Sequence, residues 1–226
     1  MSIILKSGKE GYMSVKCWFC NVEKLSDPSL FSQGMDLLPW AERKEQVIRY
    51  RFEKDRKLCL GAGLLLLFAL RNAGVTDLNL CRLKNGKPAL VSCSNIHFNL
   101  SHSGTFAVCA VSDRPVGADV ETIQNADPKV AAVCFQQHEQ EWIFQADDPG
   151  RAFTCLWTRK ESYLKRTGTG LYVAPDSFSV LPWEQMTDGS VFTECEVENH
   201  LICVSAERET EVEFCEWPLD ISFLAH

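Results

Sequence analysis

Lys57-Leu-Cys-Leu-Gly-Ala-Gly-Leu-Leu-Leu-Leu-Phe-Ala-Leu-Arg71 decides what kind of chain this is. The apolar run Leu58–Leu70 sits between two cations, and as a helix it reaches roughly 20 Å, short of the ~30 Å hydrocarbon core of a bilayer. It therefore reads as a helix buried in a globular core, with no membrane span. Upstream, Ala41–Arg71 keeps a helical pattern, and its Arg43–Lys57 part carries seven basic and three acidic residues. Val15–Val22 alternates weakly, as a strand does, and Ser26–Pro39 reads as a turn-rich loop. Downstream, Asn85-Gly-Lys-Pro88 is a turn signal between strands. His97–Leu100 and Thr105–Val111 read as strands, broken at Ser101-His-Ser-Gly104.

The second half repeats the order. Phe153, Leu156, Trp157 and Leu164 fall at helical spacing, and that helix ends at Gly168-Thr-Gly170. Strands are expected at Phe178–Leu181, Thr193–Val197 and Leu201–Ala206. The acidic Glu207–Glu216 stretch reads as a solvated edge strand, since Val212 and Phe214 alternate with Glu211 and Glu213. A long helix followed by three strands, twice, suggests an α/β (α+β) fold of two similar halves, residues 1–113 and 114–226, joined near Asp113–Val116.

Of the 226 residues 46% are hydrophobic and 23% charged, which excludes disordered and collagen-like chains. The net charge of −7 is unevenly spread: residues 1–113 carry 15 basic and 10 acidic residues, residues 114–226 carry 8 and 20. That balance excludes general duplex nucleic-acid binding and leaves room for a basic pocket holding a small polyanion. The eleven cysteines are odd in number, scattered, and unaccompanied by a signal peptide. They are expected to be free thiols in a reducing cytoplasm. On a strand, Cys17 and Cys20 would point to opposite faces, which suits neither a dithiol nor a metal clip.

Several motifs fail on inspection. Asn99-Leu-Ser-His-Ser103 lacks the glycines of a nucleophile elbow. His138-Glu-Gln-Glu-Trp142 lacks the second histidine of a zinc protease. No glycine loop is built to cradle phosphate. What remains is oxygen chemistry. In Pro115-Val-Gly-Ala-Asp-Val-Glu121, Asp119 and Glu121 share one face of a strand. Their carboxylates would lie roughly 6–7 Å apart, repelling by about 2–3 kcal/mol at an effective dielectric near 20. Solvent relieves that at an exposed edge; a divalent cation relieves it in a cleft. In Trp157-Thr-Arg-Lys-Glu-Ser-Tyr-Leu-Lys165, Glu161 and Lys165 share a helix face, as a surface ion pair or as a further carboxylate beside a phosphate-binding cation. Arg43, Lys44, Lys54, Lys57, Lys87 and His102 form a basic set, either solvated or facing an anion.

Taken together, Phe98-Asn-Leu-Ser-His-Ser103, Val116-Gly-Ala-Asp-Val-Glu121 and Trp157-Thr-Arg-Lys-Glu-Ser-Tyr-Leu-Lys165 resemble, in order and spacing, the signature of the Sfp-type 4'-phosphopantetheinyl transferases. Gly86-Lys-Pro88 and Asp176-Ser-Phe-Ser-Val180 resemble further parts of it, so the likeness covers residues 40–206. Ala118 and Thr158 depart from the usual pattern, at positions that hold no proposed ligand.

The resemblance implies a pseudo-twofold monomer with coenzyme A in the cleft between its halves. It also implies transfer of the phosphopantetheine arm to a serine of an apo acyl or peptidyl carrier protein. Asp119, Glu121 and Glu161 would hold magnesium, or manganese, against the pyrophosphate, and Lys165 would contact that pyrophosphate. Catalysis would rest on Glu161, Asp119 and Lys165. Ser101 and His102 would reach coenzyme A phosphate, Gly86, Lys87 and Pro88 would border the adenine, and Lys57, Lys54 or Arg43 would take the ribose 3'-phosphate. Two other classes stay open: another coenzyme A-dependent transferase, and a non-catalytic carrier-binding relative.

Overall fold

The computed structural model describes residues 13–83, 86–93, 95–208 and 210–224; Asn85 of the turn signal lies outside them. Strand β1 (Met13–Asn21) leads to helices α1 (Pro28–Leu37), α2 (Ala41–Arg49) and α3 (Glu53–Asn72). A short hairpin, β2 (Leu80–Arg82) and β3 (Pro88–Leu90), precedes β4 (His97–Ser103), β5 (Phe106–Ser112) and β6 (Gly117–Thr122). Helices α4 (Pro128–Cys134), α5 (Gln137–Gln145) and α6 (Pro149–Thr167) follow, then β7 (Ser190–Val197), β8 (His200–Glu207) and β9 (Thr210–Glu216).

The larger sheet has the order β4-β5-β1-β9 and the smaller β6-β8-β7. They pack face to face through Val15, Cys17 and Phe19 of β1, Val116, Ala118 and Val120 beside and within β6, and Ile202 and Val204 of β8. On the outer face of the larger sheet lies α3, with Leu58–Leu70 wholly buried as the patterning requires. On the outer face of the smaller sheet lies α6. The layers therefore run helix, sheet, sheet, helix. Cys17 enters the inter-sheet core and Cys20 the core under α3, the opposite faces expected of them. All eleven cysteines are free, and no described helix is long and apolar enough to cross a membrane.

Four local expectations are corrected. Ser26–Pro39 is mostly helix: Asp27 caps α1, accepting from the Ser29 and Leu30 amides, and Pro28 supplies its first turn. The helical stretch from Ala41 is two helices, α2 and α3, parted at residues 50–52. Strand β4 does not stop at Leu100; Ser101, His102 and Ser103 pair with Val108, Ala107 and Phe106, leaving Gly104-Thr105 as the turn. Phe178–Leu181 forms no ladder. Its backbone is satisfied by side chains instead: the Val180 amide donates to Glu139, the Val180 carbonyl accepts from Arg159, and the Phe178 carbonyl accepts from Lys160.

The acidic β9 is an edge strand, as its alternation requires, but it runs parallel to β1 in the larger sheet. Trp217, just after it, stacks on Phe68 of α3 with ring centroids 4.7 Å apart. The last described segment thus completes the core of the first half.

Candidate active site

Strands β4 and β6 are the edges of their two sheets, and side chains join them where no backbone ladder does. Asn99 Oδ1 accepts from the Ala118 amide at 2.8 Å, Ser101 Oγ donates to Asp119 Oδ1 at 2.7 Å, and Ser103 Oγ donates to Glu121 Oε2 at 2.7 Å. Gly117 opens β6 because α6 crosses directly over it; a β-carbon there would lie 1.9 Å from the Ser162 carbonyl oxygen. That approach sets Glu161 and Lys165 of α6 over the Asp119/Glu121 face of β6.

The result is a cavity of about 490 Å³ along the two sheet edges. Asp119, Glu121, Glu161, Lys165 and Trp157 line its α6 side; Arg43, Gln46, Cys59 and His102 line the side of α2 and α3. A second cavity, of about 330 Å³, adjoins it and is bordered by Gly86, Lys87, Pro88, Leu100, Glu161 and Lys165. A larger, open hollow lies by Arg166 and Arg208, but none of the three carboxylates faces it.

The electrostatics are those of crowded carboxylates. Burial pushes the Glu121 carboxyl up, and the Asp119 charge adds to it, against a Ser103 hydrogen bond and Lys165. Burial likewise pushes Glu161 up, with Lys165 opposing and Asp119 and Glu121 adding. Lys165 is the cation these groups share: its Nζ lies 2.5 Å from Asp119 Oδ1 and 3.0 Å from Ser101 Oγ. Asp119 is 2% exposed, and its other oxygen, Oδ2, is buried without a hydrogen-bond partner among the described residues.

Would these residues suit magnesium? As the side chains stand, no three carboxylate, imidazole or thiolate groups among the described residues close on one point. The chemistry of the set nevertheless fits a hard divalent cation: the neighbouring donors are all carboxylate oxygens, Asp119 raises the proton affinity of Glu121 and both raise that of Glu161, and Asp119 Oδ2 has no hydrogen-bond partner among the described residues.

The basic residues divide. Arg43 lines the cavity. Lys57 does not: it is 7% exposed, and its ammonium is taken up by both Glu23 oxygens and Ser26 Oγ, each at 2.9 Å. Lys54 is exposed and lines neither cavity. His102 is exposed on β4, yet the protein around its ring, then Lys165 and Arg43, hold its imidazole below the ordinary value. Lys87 donates to the Val116 carbonyl at 3.0 Å and to the Lys165 carbonyl at 2.8 Å; burial, then Arg166, lowers its ammonium to about 8.

Sequence reasoning missed several members. Ser103, Asn99 and Trp157 touch the carboxylate strand, and the alternation of Asn99, Ser101 and Ser103 was the available signal. Lys160, beside Glu161, is fully buried: it pairs with Glu139 at 2.8 Å and donates to the Pro175 and Phe178 carbonyls. Three donors meet three acceptors, so the helix bearing Glu161 is pinned to α5 and to the segment after α6.

Two family models match the chain: "4'-phosphopantetheinyl transferase superfamily" over residues 115–214 and "4'-phosphopantetheinyl transferase, N-terminal" over residues 26–114. The 4'-phosphopantetheinyl transferase ffp of Bacillus subtilis is 30% identical over 176 residues, covering 76% of this chain and 77% of that protein. The 4'-phosphopantetheinyl transferase gsp of Aneurinibacillus migulanus is 36% identical over 142 residues, 61% of this chain and 59% of its own length. The L-aminoadipate-semialdehyde dehydrogenase-phosphopantetheinyl transferase of Saccharomyces cerevisiae is 32% identical over 163 residues, 65% of this chain and 59% of that protein. The chain thus spans about three fifths of the length of two of these relatives.

Proposed function

This chain belongs to the 4'-phosphopantetheinyl transferase superfamily, and we propose that it transfers the phosphopantetheine arm of coenzyme A to a serine of an apo acyl or peptidyl carrier protein. The observation that carries the proposal is the cavity itself. Three carboxylates and a lysine from β6 and α6 face Arg43 and His102 across the two sheet edges.

Coenzyme A lies along the two adjoining cavities. Gly86, Lys87 and Pro88 border its adenine end, Arg43 pairs with the ribose 3'-phosphate, and His102 donates an N–H to a phosphate oxygen. Asp119, Glu121 and Glu161 would hold magnesium, with manganese as an alternative, and the metal would neutralise pyrophosphate charge and stabilise the leaving group. Lys165, released from Asp119, turns its ammonium to the pyrophosphate.

Glu161 takes the proton of the carrier serine. The serine Oγ forms a bond to the phosphorus nearest the pantetheine. The P–O bond to the bridging oxygen breaks, and adenosine 3',5'-bisphosphate leaves with the electron pair. Positioning and electrostatics supply most of the rate, as is general for phosphoryl transfer. The pseudo-twofold relation of the halves, a monomeric state and a cytoplasmic location belong to the same proposal.

Intact-protein mass spectrometry tests it. An apo carrier incubated with this protein, coenzyme A and magnesium should gain one phosphopantetheine, and a chelator should abolish the gain. Binding of coenzyme A without transfer to any of several carriers would favour a non-catalytic relative. Neither binding nor transfer would overturn the proposal.

A further inference from the structure

We infer that Ser103 is a positioning residue for the cation site: a hydroxyl from the first half of the chain holds a carboxylate of the second half in place to ligate. The inference rests on the proposal above that Asp119, Glu121 and Glu161 bind a hard divalent cation. It adds a residue that the signature blocks assign no role.

Ser101 and Ser103 stand two residues apart on β4, and Asp119 and Glu121 two residues apart on β6. The alternation of the two strands therefore matches serine to carboxylate twice, at 2.7 Å each time. The Asn99–Ala118 hydrogen bond, next in the same row, fixes that register. A slip of one residue would offer Leu100 and His102 to the carboxylates instead. β4 and β6 share no ladder, and these side-chain hydrogen bonds join their edges directly.

Each serine occupies one oxygen of its carboxylate. On Asp119 the other oxygen is the buried Oδ2, which has no hydrogen-bond partner among the described residues. On Glu121 the need for an anchor is greater, because glutamate has one more side-chain torsion to fix than aspartate. Ser103 supplies that anchor by donating its hydroxyl to Glu121 Oε2. A donor behind a metal ligand orients it and raises metal affinity, and its loss costs about 10–100-fold. A purely structural hydroxyl would show a different signature. Ser103 keeps its backbone pairing with Phe106 whatever its side chain, so its removal should spare the fold and act on the cation.

The experiment is Mn²⁺ titration of the full chain with coenzyme A present, followed by electron paramagnetic resonance and calorimetry. Ser103→Ala should weaken Mn²⁺ binding about 10–100-fold at an unchanged melting temperature, with turnover recovering at saturating metal. Ser103→Thr, which keeps the hydroxyl, should restore affinity. Should Ser103→Ala unfold, Ser103→Cys carries the comparison, keeping the volume with a weak donor and showing the same loss. Wild-type affinity in the variant without a donor overturns the positioning role and leaves the cation proposal standing. No Mn²⁺ binding by the unaltered chain overturns both.

Discussion

The backbone of Gly117 on β6 touches the backbone of Ser162 on α6, so closely that a β-carbon on the glycine would lie 1.9 Å from the Ser162 carbonyl oxygen and 2.5 Å from the Arg166 amide nitrogen. This contact brings Glu161 and Lys165 to the carboxylates of β6. Backbone atoms, unlike a flexible side chain, have little room to yield.

Gly117→Ala should therefore lift α6 from the sheet. Overpacking costs about 3 kcal/mol at such a site, which lowers the melting temperature by roughly 6–12 °C in a chain of this size. Turnover should fall further than stability does, because the carboxylate set is pulled apart. Scanning calorimetry beside the mass-spectrometric assay checks it; a variant as active as the unaltered chain contradicts it.

Asp119→Asn and Glu161→Gln keep size and remove charge. Glu161→Gln should lower turnover by about 10²–10⁴-fold, the usual worth of a general base, with coenzyme A still bound. Asp119→Asn should abolish metal-dependent turnover and free Lys165 from its ion pair. Circular dichroism confirms the fold, and normal activity in either variant sinks the site assignment.

Metal binding should compete with protons. Glu121 and Glu161 are both raised, by burial first and then by neighbouring carboxylates. A protonated carboxyl is a poor ligand, so cation affinity is full above the raised values. It is lost as pH falls through them, at higher pH than for a free glutamate near ~4.3. The sign for stability is the reverse: ionising a carboxyl whose folded value is raised costs stability as pH rises through it, and a bound cation offsets that cost. Magnesium should raise the melting temperature more at pH 7 than at pH 5, and chelator should remove the difference.

Arg43 and Lys57 should separate cleanly. Arg43→Ala should remove the proposed charged contact to the ribose phosphate, worth about 1.5–3 kcal/mol, or roughly 10–100-fold in coenzyme A affinity. Lys57→Ala should leave that affinity unchanged and act on stability alone, because Glu23 and Ser26 hold its ammonium. Isothermal titration decides between them.

Lys160 and Glu139 are each 0% exposed and ion-paired at 2.8 Å. Lys160→Met leaves a buried carboxylate uncompensated and should cost about 3–5 kcal/mol. The double variant Lys160→Met/Glu139→Leu should be less destabilised than the sum of the single ones. Additive losses in denaturant melts would show that the pair is not coupled.

Wherever local periodicity and burial agree, this chain is legible without coordinates. Leu58–Leu70 could only be a buried helix, the alternation from Val116 to Glu121 could only place its carboxylates on one face, and Gly168, with φ of 70°, ends α6 as its position announces. The three ordered blocks identified the family for the same reason: each is a short run whose chemistry is carried by residues a few positions apart.

Long-range side-chain partners decided the rest. Phe178–Leu181 has the composition of a strand, yet Glu139, Arg159 and Lys160 satisfy its backbone. Lys57 sits where a phosphate ligand was expected, yet Glu23 and Ser26, over thirty residues away in sequence, claim it. Ser103 became part of the site only when two sheet edges met in one register. Patterning along a chain records which face a residue takes, because apolar burial is local in period. Which polar group answers it across a cleft depends on how whole elements pack, and that exists only in the folded chain.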